Sequence, residues 1–232
     1  MSHSPPASTK RFLSIAMLLG GCAIALPGLA QEQNEFPGRR VGGGTRGGCA
    51  IDASGVVALH PENNLGLTQR ATPSLYLAVP ESSDDYAVTF FLLDDTDAIL
   101  YETTLEAGNK DELVGVQVPS DILKAGEHYP WYFLVTCEGV NPAAGVVVEG
   151  WLQQVMFEAP LTDVDNEPSI EQIQAYQAAG LWSDAIALTA ELISSNPEDA
   201  AYQAQWFNLL AELELDTAIE ELLPVRLPNA ME

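Results

Sequence analysis

The chain has 232 residues, of which 33 are acidic and 9 are Lys or Arg, for a net charge of −24, and 47% are hydrophobic. Such a charge argues against a nucleic-acid partner, because the phosphate backbone demands a basic surface, and it disfavours anionic lipid headgroups for the same reason. The hydrophobic content excludes wholesale disorder, and the length allows one large domain or a domain with an appendage.

Residues 1–30 read as a cleaved secretory signal. Lys10 and Arg11 form a positive start, Phe12 to Leu26 form an apolar run, and Pro27-Gly28-Leu29-Ala30 ends in small residues of the kind signal peptidase accepts. A membrane-spanning helix needs about 20 apolar residues, so an uncleaved anchor is the lesser reading. Leu19-Gly20-Gly21-Cys22 resembles a lipobox, which leaves lipid anchoring at Cys22 as a second alternative, although Ala23 to Leu26 carry the apolar run past that cysteine. Removing residues 1–30 takes away Lys10, Arg11 and no acidic residue, so the charge moves from −24 to −26. Solubility in an exported protein is the plain reading of that charge, with weak cation binding as the other.

Residues 31–48 form an Arg/Gly-rich N-terminal arm. Gly42, Gly44 and Gly47 fit G-x-G-x-x-G, and Arg39, Arg40 and Arg46 lie among them. A dinucleotide loop needs a strand before it, a helix start after it and an acidic residue about 20 positions on. The block runs instead into Cys49-Ala50-Ile51-Asp52 with no helical period, so glycine serves close approach and positive φ, and no cofactor is expected. The three arginines are candidates for pairing with carboxylates within the chain, or for docking on an acidic partner.

Loss of the signal leaves Cys49 and Cys137, an even pair in an oxidising compartment. A disulfide between them would close a loop of nearly ninety residues, with two independent thiols as the alternative.

Residues 49–160 read as strands: Val56–His60, Leu75–Val79, Tyr86–Leu93, Ile99–Leu105, Leu113–Val118, His128–Cys137 and Val146–Phe157, separated by turn-rich stretches. Short strands at this spacing without crossover helices predict an antiparallel β-sandwich. Between 128 and 137, Tyr129, Trp131, Phe133, Val135 and Cys137 share one face, and His128, Pro130, Tyr132, Leu134 and Thr136 the other. Tyr129, beyond the turn at Gly126 and six residues after Leu123, resembles the tyrosine corner of immunoglobulin-like and fibronectin type III sandwiches.

After a linker at 161–167, residues 168–232 carry helical periods. Ser169 and Gln172 form a capping box for a first helix stopped by Gly180, Ser183 opens a second that ends at Asn196-Pro197, and Tyr202, Trp206, Leu209, Leu210 and Leu213 mark a third. Thr217 to Leu223 add a short fourth. Residues 175–197 resemble a tetratricopeptide repeat through Tyr176, Gly180, Trp182, Ala185 and Pro197. Since about three repeats are needed for a solenoid, a hairpin appendage packed on the sheet or on a partner is expected, with its aromatic residues in a core. The fold class is therefore α+β, an immunoglobulin/fibronectin-like sandwich followed by a tetratricopeptide-like appendage.

A wider resemblance rests on PGRRVGGGTRGGC at 37–49, VALHP at 57–61, LKAGEHYPWYF at 123–133, VEGWL at 148–152, AGLWSDA at 179–185 and WFNLL at 206–210. Together they are similar to an uncharacterised family of exported cyanobacterial proteins, known as domain of unknown function nine-two-eight. The resemblance implies export and lends no activity.

Candidate catalytic residues are few. His60 and His128 lie outside any zinc spacing, and no G-x-S-x-G is present. A Cys137–His128 pair would point to opposite faces of one strand. Asp94, Asp95 and Asp97, or Asp163 and Asp165, are acidic turns without the EF-hand pattern. The expected function is a non-catalytic exported module that binds another envelope or secreted protein, with no integral span after cleavage. An exported hydrolase acting on a glycan or other polymer is the alternative.

Overall fold

The computed structural model describes residues 36–44, 50–107, 112–137, 141–157 and 168–215, with Met1, Gly139 and Ile219 in addition. The signal stretch, Arg46, Cys49 and the segment 161–167 lie outside the described residues.

The described residues form nine strands: β1 (Arg39–Gly44), β2 (Val57–Ala58), β3 (Leu65–Thr68), β4 (Ser74–Val79), β5 (Tyr86–Leu93), β6 (Ile99–Ala107), β7 (Glu112–Gln117), β8 (His128–Cys137) and β9 (Val146–Gln154). They form one sheet in the order β6-β5-β8-β9-β1-β2-β4-β7, antiparallel throughout that path, with β3 added in parallel to β9. Among the described residues three helices follow, α1 (Ile170–Ala178), α2 (Trp182–Ser195) and α3 (Ala200–Glu212); the short fourth expected from Thr217 to Leu223 lies, Ile219 apart, outside them.

The expected two-sheet sandwich is here a single curled sheet, and the reason is β1. The Arg/Gly-rich segment, expected as an N-terminal arm outside the β domain, pairs with β9 on one side, Arg39 opposite Glu149, and with β2 on the other, Val41 opposite Val57. Its register shifts between Arg39 and Gly43, an irregularity of the kind that bends a sheet. Gly42 lies at this bend, where a Cβ would collide with the Ala53 carbonyl and Val146. Gly42 therefore lets the chain join the two halves.

The curl encloses one core. Alternation puts Val88, Phe90 and Leu92 of β5, Trp131, Phe133 and Val135 of β8, and Val146 and Val148 of β9 on the inner face, against Leu75, Leu77 and Val79 of β4 and Val114 and Val116 of β7. The opposite parity of β4 is buried too: Tyr76 and Ala78 pack with Ile186, Ala190 and Ile193 of α2 and with Trp206 and Leu210 of α3. This double burial explains why Ser74–Val79 reads as a nearly continuous apolar run. A third cluster joins Ile173 and Tyr176 of α1 to Leu188 and Leu192 of α2, with Leu67 and Val155 beside it.

Local signals behave as their chemistry requires. The Ser169–Gln172 capping box is present in both directions, and Gly180 adopts φ +73° after α1. The second helix begins one residue earlier than Ser183, without a side-chain cap, because Ser183 and Asp184 are turned into the interior. Asp199 caps α3 through the amides of Ala201 and Tyr202. Among the described residues no helix is long and apolar enough to cross a membrane.

Candidate interaction face and interior polar cluster

The sheet has two outward faces of different character. Over β2 and β4 the outward face is covered by α2 and α3. Over β5, β8 and β9 no described element packs, and that face is mixed: apolar side chains alternate with Thr89, Thr104 and Glu102. Cross-strand register aligns Phe91, Tyr132 and Glu149 in one row, Thr89, Leu134 and Val147 in the next, and Pro130 with Trp151 in a third. Phe91, Leu93, Tyr132, Leu134, Val147 and Trp151 are each only partly exposed, packed side by side rather than beneath another layer. Ile99 and Leu100, at 55% and 39% exposure, extend the apolar surface to the edge strand β6.

One corner of this face is held firmly. Phe36 stacks on His128 at 5.0 Å and on Trp151 at 5.6 Å. The Pro37 carbonyl accepts from Trp151 Nε1 and from Asn64 Nδ2, both at 2.8 Å, and the Phe36 amide donates to the Asn63 carbonyl. The rim is acidic. Burial, followed by the charges of Glu149 and Asp97, pushes the Tyr132 hydroxyl pKa up. Asp94 folds its carboxylate onto the Thr96 and Ala98 amides and the Thr96 hydroxyl, which holds its pKa below the usual range. It therefore acts as a turn acceptor. Asp163 and Asp165 lie outside the described residues, and among the described ones no three His, Cys, Asp or Glu converge as metal ligands.

The three candidate arginines part company. Arg39 opens β1 with its Nε 3.9 Å from Glu149 at the edge of the apolar face, an exposed pair that contributes little to stability. Arg40 turns inward and donates from Nη1 to the carbonyls of Leu213 and His60. Leu213 caps α3, so the guanidinium serves the negative end of that helix and ties it to β1. Arg46 lies outside the described residues.

Behind the covered face, polar groups clasp α2 to the sheet. Asp184 accepts from the Thr68 hydroxyl and from the Gln69 amide, and Arg70 binds Glu191 at 2.6 Å. Burial raises the Asp184 pKa while its two donors and Arg70 oppose that rise. His60 is buried, and desolvation, aided by the nearby Arg40 charge, lowers its pKa to about 4 against the pull of the Asn64 and Trp151 backbone. It is neutral at pH 7. His128 is exposed at the start of β8, whereas Cys137 at the other end is buried in the core, so the two do not form a pair.

The tyrosine corner is present. Tyr129 Oη accepts from the Lys124 amide at 2.9 Å and donates to Glu127 at 3.1 Å, with Gly126 at φ +85° in the turn. Sequence reasoning passed over the apolar face. Its signal lay in β8, where the outward parity reads Pro130, Tyr132 and Leu134 although a solvated antiparallel face should be polar.

No curated protein matches the chain. Solved structures of the Parabacteroides merdae β-glucuronidase share 15% identity over 47% of this chain with a TM-score of 0.26, and, with glycerol in the active site, 16% over 43% with a TM-score of 0.25. The chain spans 14% and 12% of those proteins, and a likeness of that size carries no argument. The family model described as Domain of Unknown Function (DUF928) matches residues 41–223, which run from β1 through all three helices. The chain therefore belongs to the DUF928 family.

Proposed function

We propose that this protein is a non-catalytic interaction module of the cell envelope, exported by the signal at residues 1–30, which binds another protein through the open face of β5, β8 and β9. The observation that carries the reading is the contrast between the two outward faces: one is sealed by helices, while the other presents Phe91, Tyr132 and Leu134 in adjacent registers with no described layer over them, next to the corner where Phe36 covers Trp151. Contiguous apolar surface rimmed by polar residues marks interaction sites. The acidic rim, with Glu149 and Asp97 beside Tyr132, favours a partner carrying basic residues around an apolar centre. Arg39 is the member of the candidate arginine set that borders this face, and Arg46 is kept as a second contact.

Three finer readings accompany this one. The curled sheet is read as a variant of the immunoglobulin/fibronectin-like sandwich, supported by the Tyr129 corner, and α1–α2 as a tetratricopeptide-like hairpin used for internal packing. Cys49 and Cys137 are proposed to form a disulfide. Ile51, two residues after Cys49, lies in the same core cluster as Cys137.

The test places a photo-reactive phenylalanine analogue at Tyr132 and, as a control, at Gln203 on α3, in chains expressed in their native envelope. Crosslinking to one discrete protein from position 132 alone is expected. Phe91→Glu should weaken that complex by about 30-fold, the loss of a central aromatic contact worth about 2 kcal/mol. Equal crosslinking from both positions, or unchanged affinity with Phe91→Glu, refutes the assignment of the face.

A further inference from the structure

Between the curled sheet and the helix layer lies a partly enclosed cavity of about 10 Å3 whose lining includes His60, Ser74, Tyr76, Trp131 and Ser183. This is the room needed for one water molecule, and a water is stable in such a space only with two to four polar partners. The partners are present. His60 Nε2, Tyr76 Oη and Trp131 Nε1 are buried without a hydrogen bond of normal geometry, Tyr76 having only the Ser74 side chain of the same lining within its reach, and all three residues line this one cavity; the fourth such atom, Asn64 Oδ1, belongs to a residue outside the lining. They are among the most enclosed side chains of the protein, at 2%, 3% and 0% exposure. Buried donors and acceptors are almost always satisfied by protein or by ordered water, so three orphans around one water-sized space demand a common explanation.

We infer that this cavity is a binding site for a single structural water, which joins His60 Nε2, Tyr76 Oη and Trp131 Nε1. The hydrogen-bond directions are consistent. Indole Nε1 only donates, so the water accepts from Trp131; a neutral imidazole with its proton on Nδ1 offers Nε2 as an acceptor, so the water donates to His60; the Tyr76 hydroxyl completes the set in either sense. His60 follows β2, Tyr76 is in β4 and Trp131 is in β8, so the water ties opposite halves of the curl beneath α2. The ring of His60 is fixed in place by its edge contact with Trp131, 4.9 Å between centroids at 83°, and by Gly66, where a Cβ would meet both His60 Cε1 and Ser183 Oγ. The water is thus a structural part of the layer junction.

High-resolution diffraction from the full chain, together with water-to-protein cross-relaxation at the Trp131 indole proton, tests the site. One density peak within hydrogen-bond reach of the three atoms, and a long-lived water cross-peak at Trp131 that is lost in Tyr76→Phe/His60→Phe, are expected. An empty cavity, or a direct bond between any two of the three side chains, overturns the inference. If the double variant does not fold, the wild-type density and cross-peak decide alone, and absence of both refutes the site.

Discussion

His60 provides a quantitative test of how the interior is built. Its ring is neutral because burial, reinforced by Arg40, lowers its pKa from 6.5 to about 4. In the unfolded chain the same ring takes a proton near pH 6.5, so between pH 6.5 and 4 the unfolded state binds more protons and stability falls as pH falls. At about 1.36 kcal/mol per pH unit, the interval from 6.5 to about 4 corresponds to a loss of about 3 kcal/mol, a large part of a typical domain's 5–15. Asp184 works in the opposite sense: its pKa is raised in the fold, so protonating it as pH falls towards the unfolded value adds stability. Other carboxylates also titrate in this range, which is why the informative quantity is a difference. Urea unfolding of wild type and of His60→Gln at several pH values from 7 to 4 should give a shallower decline in the variant, whatever its offset at pH 7. Parallel profiles, or an NMR titration of His60 centred near 6.5, would refute the account.

Three further outcomes follow from specific contacts. Gly150→Ala places a methyl group against the buried Trp131 ring and Asn64 Oδ1, and should cost about 1–3 kcal/mol in chemical denaturation while leaving the far-ultraviolet circular dichroism unchanged. Tyr129→Phe removes the acceptor for the Lys124 amide and should cost about 0.5–1.5 kcal/mol, with faster hydrogen exchange at Lys124. Asp184→Ala leaves the Thr68 hydroxyl and the Gln69 amide without their carboxylate and should lose about 1.5–3 kcal/mol for each bond, seen as a lower melting temperature.

The elements most legible in the sequence are those whose reasons are local. β5 and β8 run from Tyr86 to Leu93 and from His128 to Cys137, as alternation predicts, since each buries one parity in the core. The Ser169–Gln172 box and the Gly180 stop are set by backbone groups within a few residues. Elements whose reasons lie far away in the chain were hidden. β3 is four residues long and exists because Leu65–Thr68 meet Trp151–Gln154 of β9 in parallel, a pairing with no local signature. The Arg39–Gly44 strand is hidden more deeply still, because three glycines weaken any strand pattern and the purpose of Gly42, room for Ala53 and Val146, appears only once the sheet closes.

The same distinction separates the two kinds of polar residue in this molecule. The acidic turn at Asp94 is a local device: its partners Thr96 and Ala98 are neighbours, and its chemistry can be read without the fold. Asp184 is one more acidic residue in a chain of net charge −24 until β3 delivers Thr68 and Gln69 to it across more than a hundred residues. Buried charge is costly unless paired, so each such group must be matched by donors from a different layer. Here Asp184 meets β3, Arg40 meets the end of α3, and Arg70 meets Glu191. These contacts make the helix layer register-specific on one half of the sheet. Among the described residues the other half shows no matching buried charge on its outward face, where Phe91, Tyr132, Leu134 and Trp151 stand beside Thr89, Glu102 and Thr104 and are bordered by Arg39 and Glu149. A surface of that composition can be covered and uncovered without stranding a charge, as a reversible docking face requires.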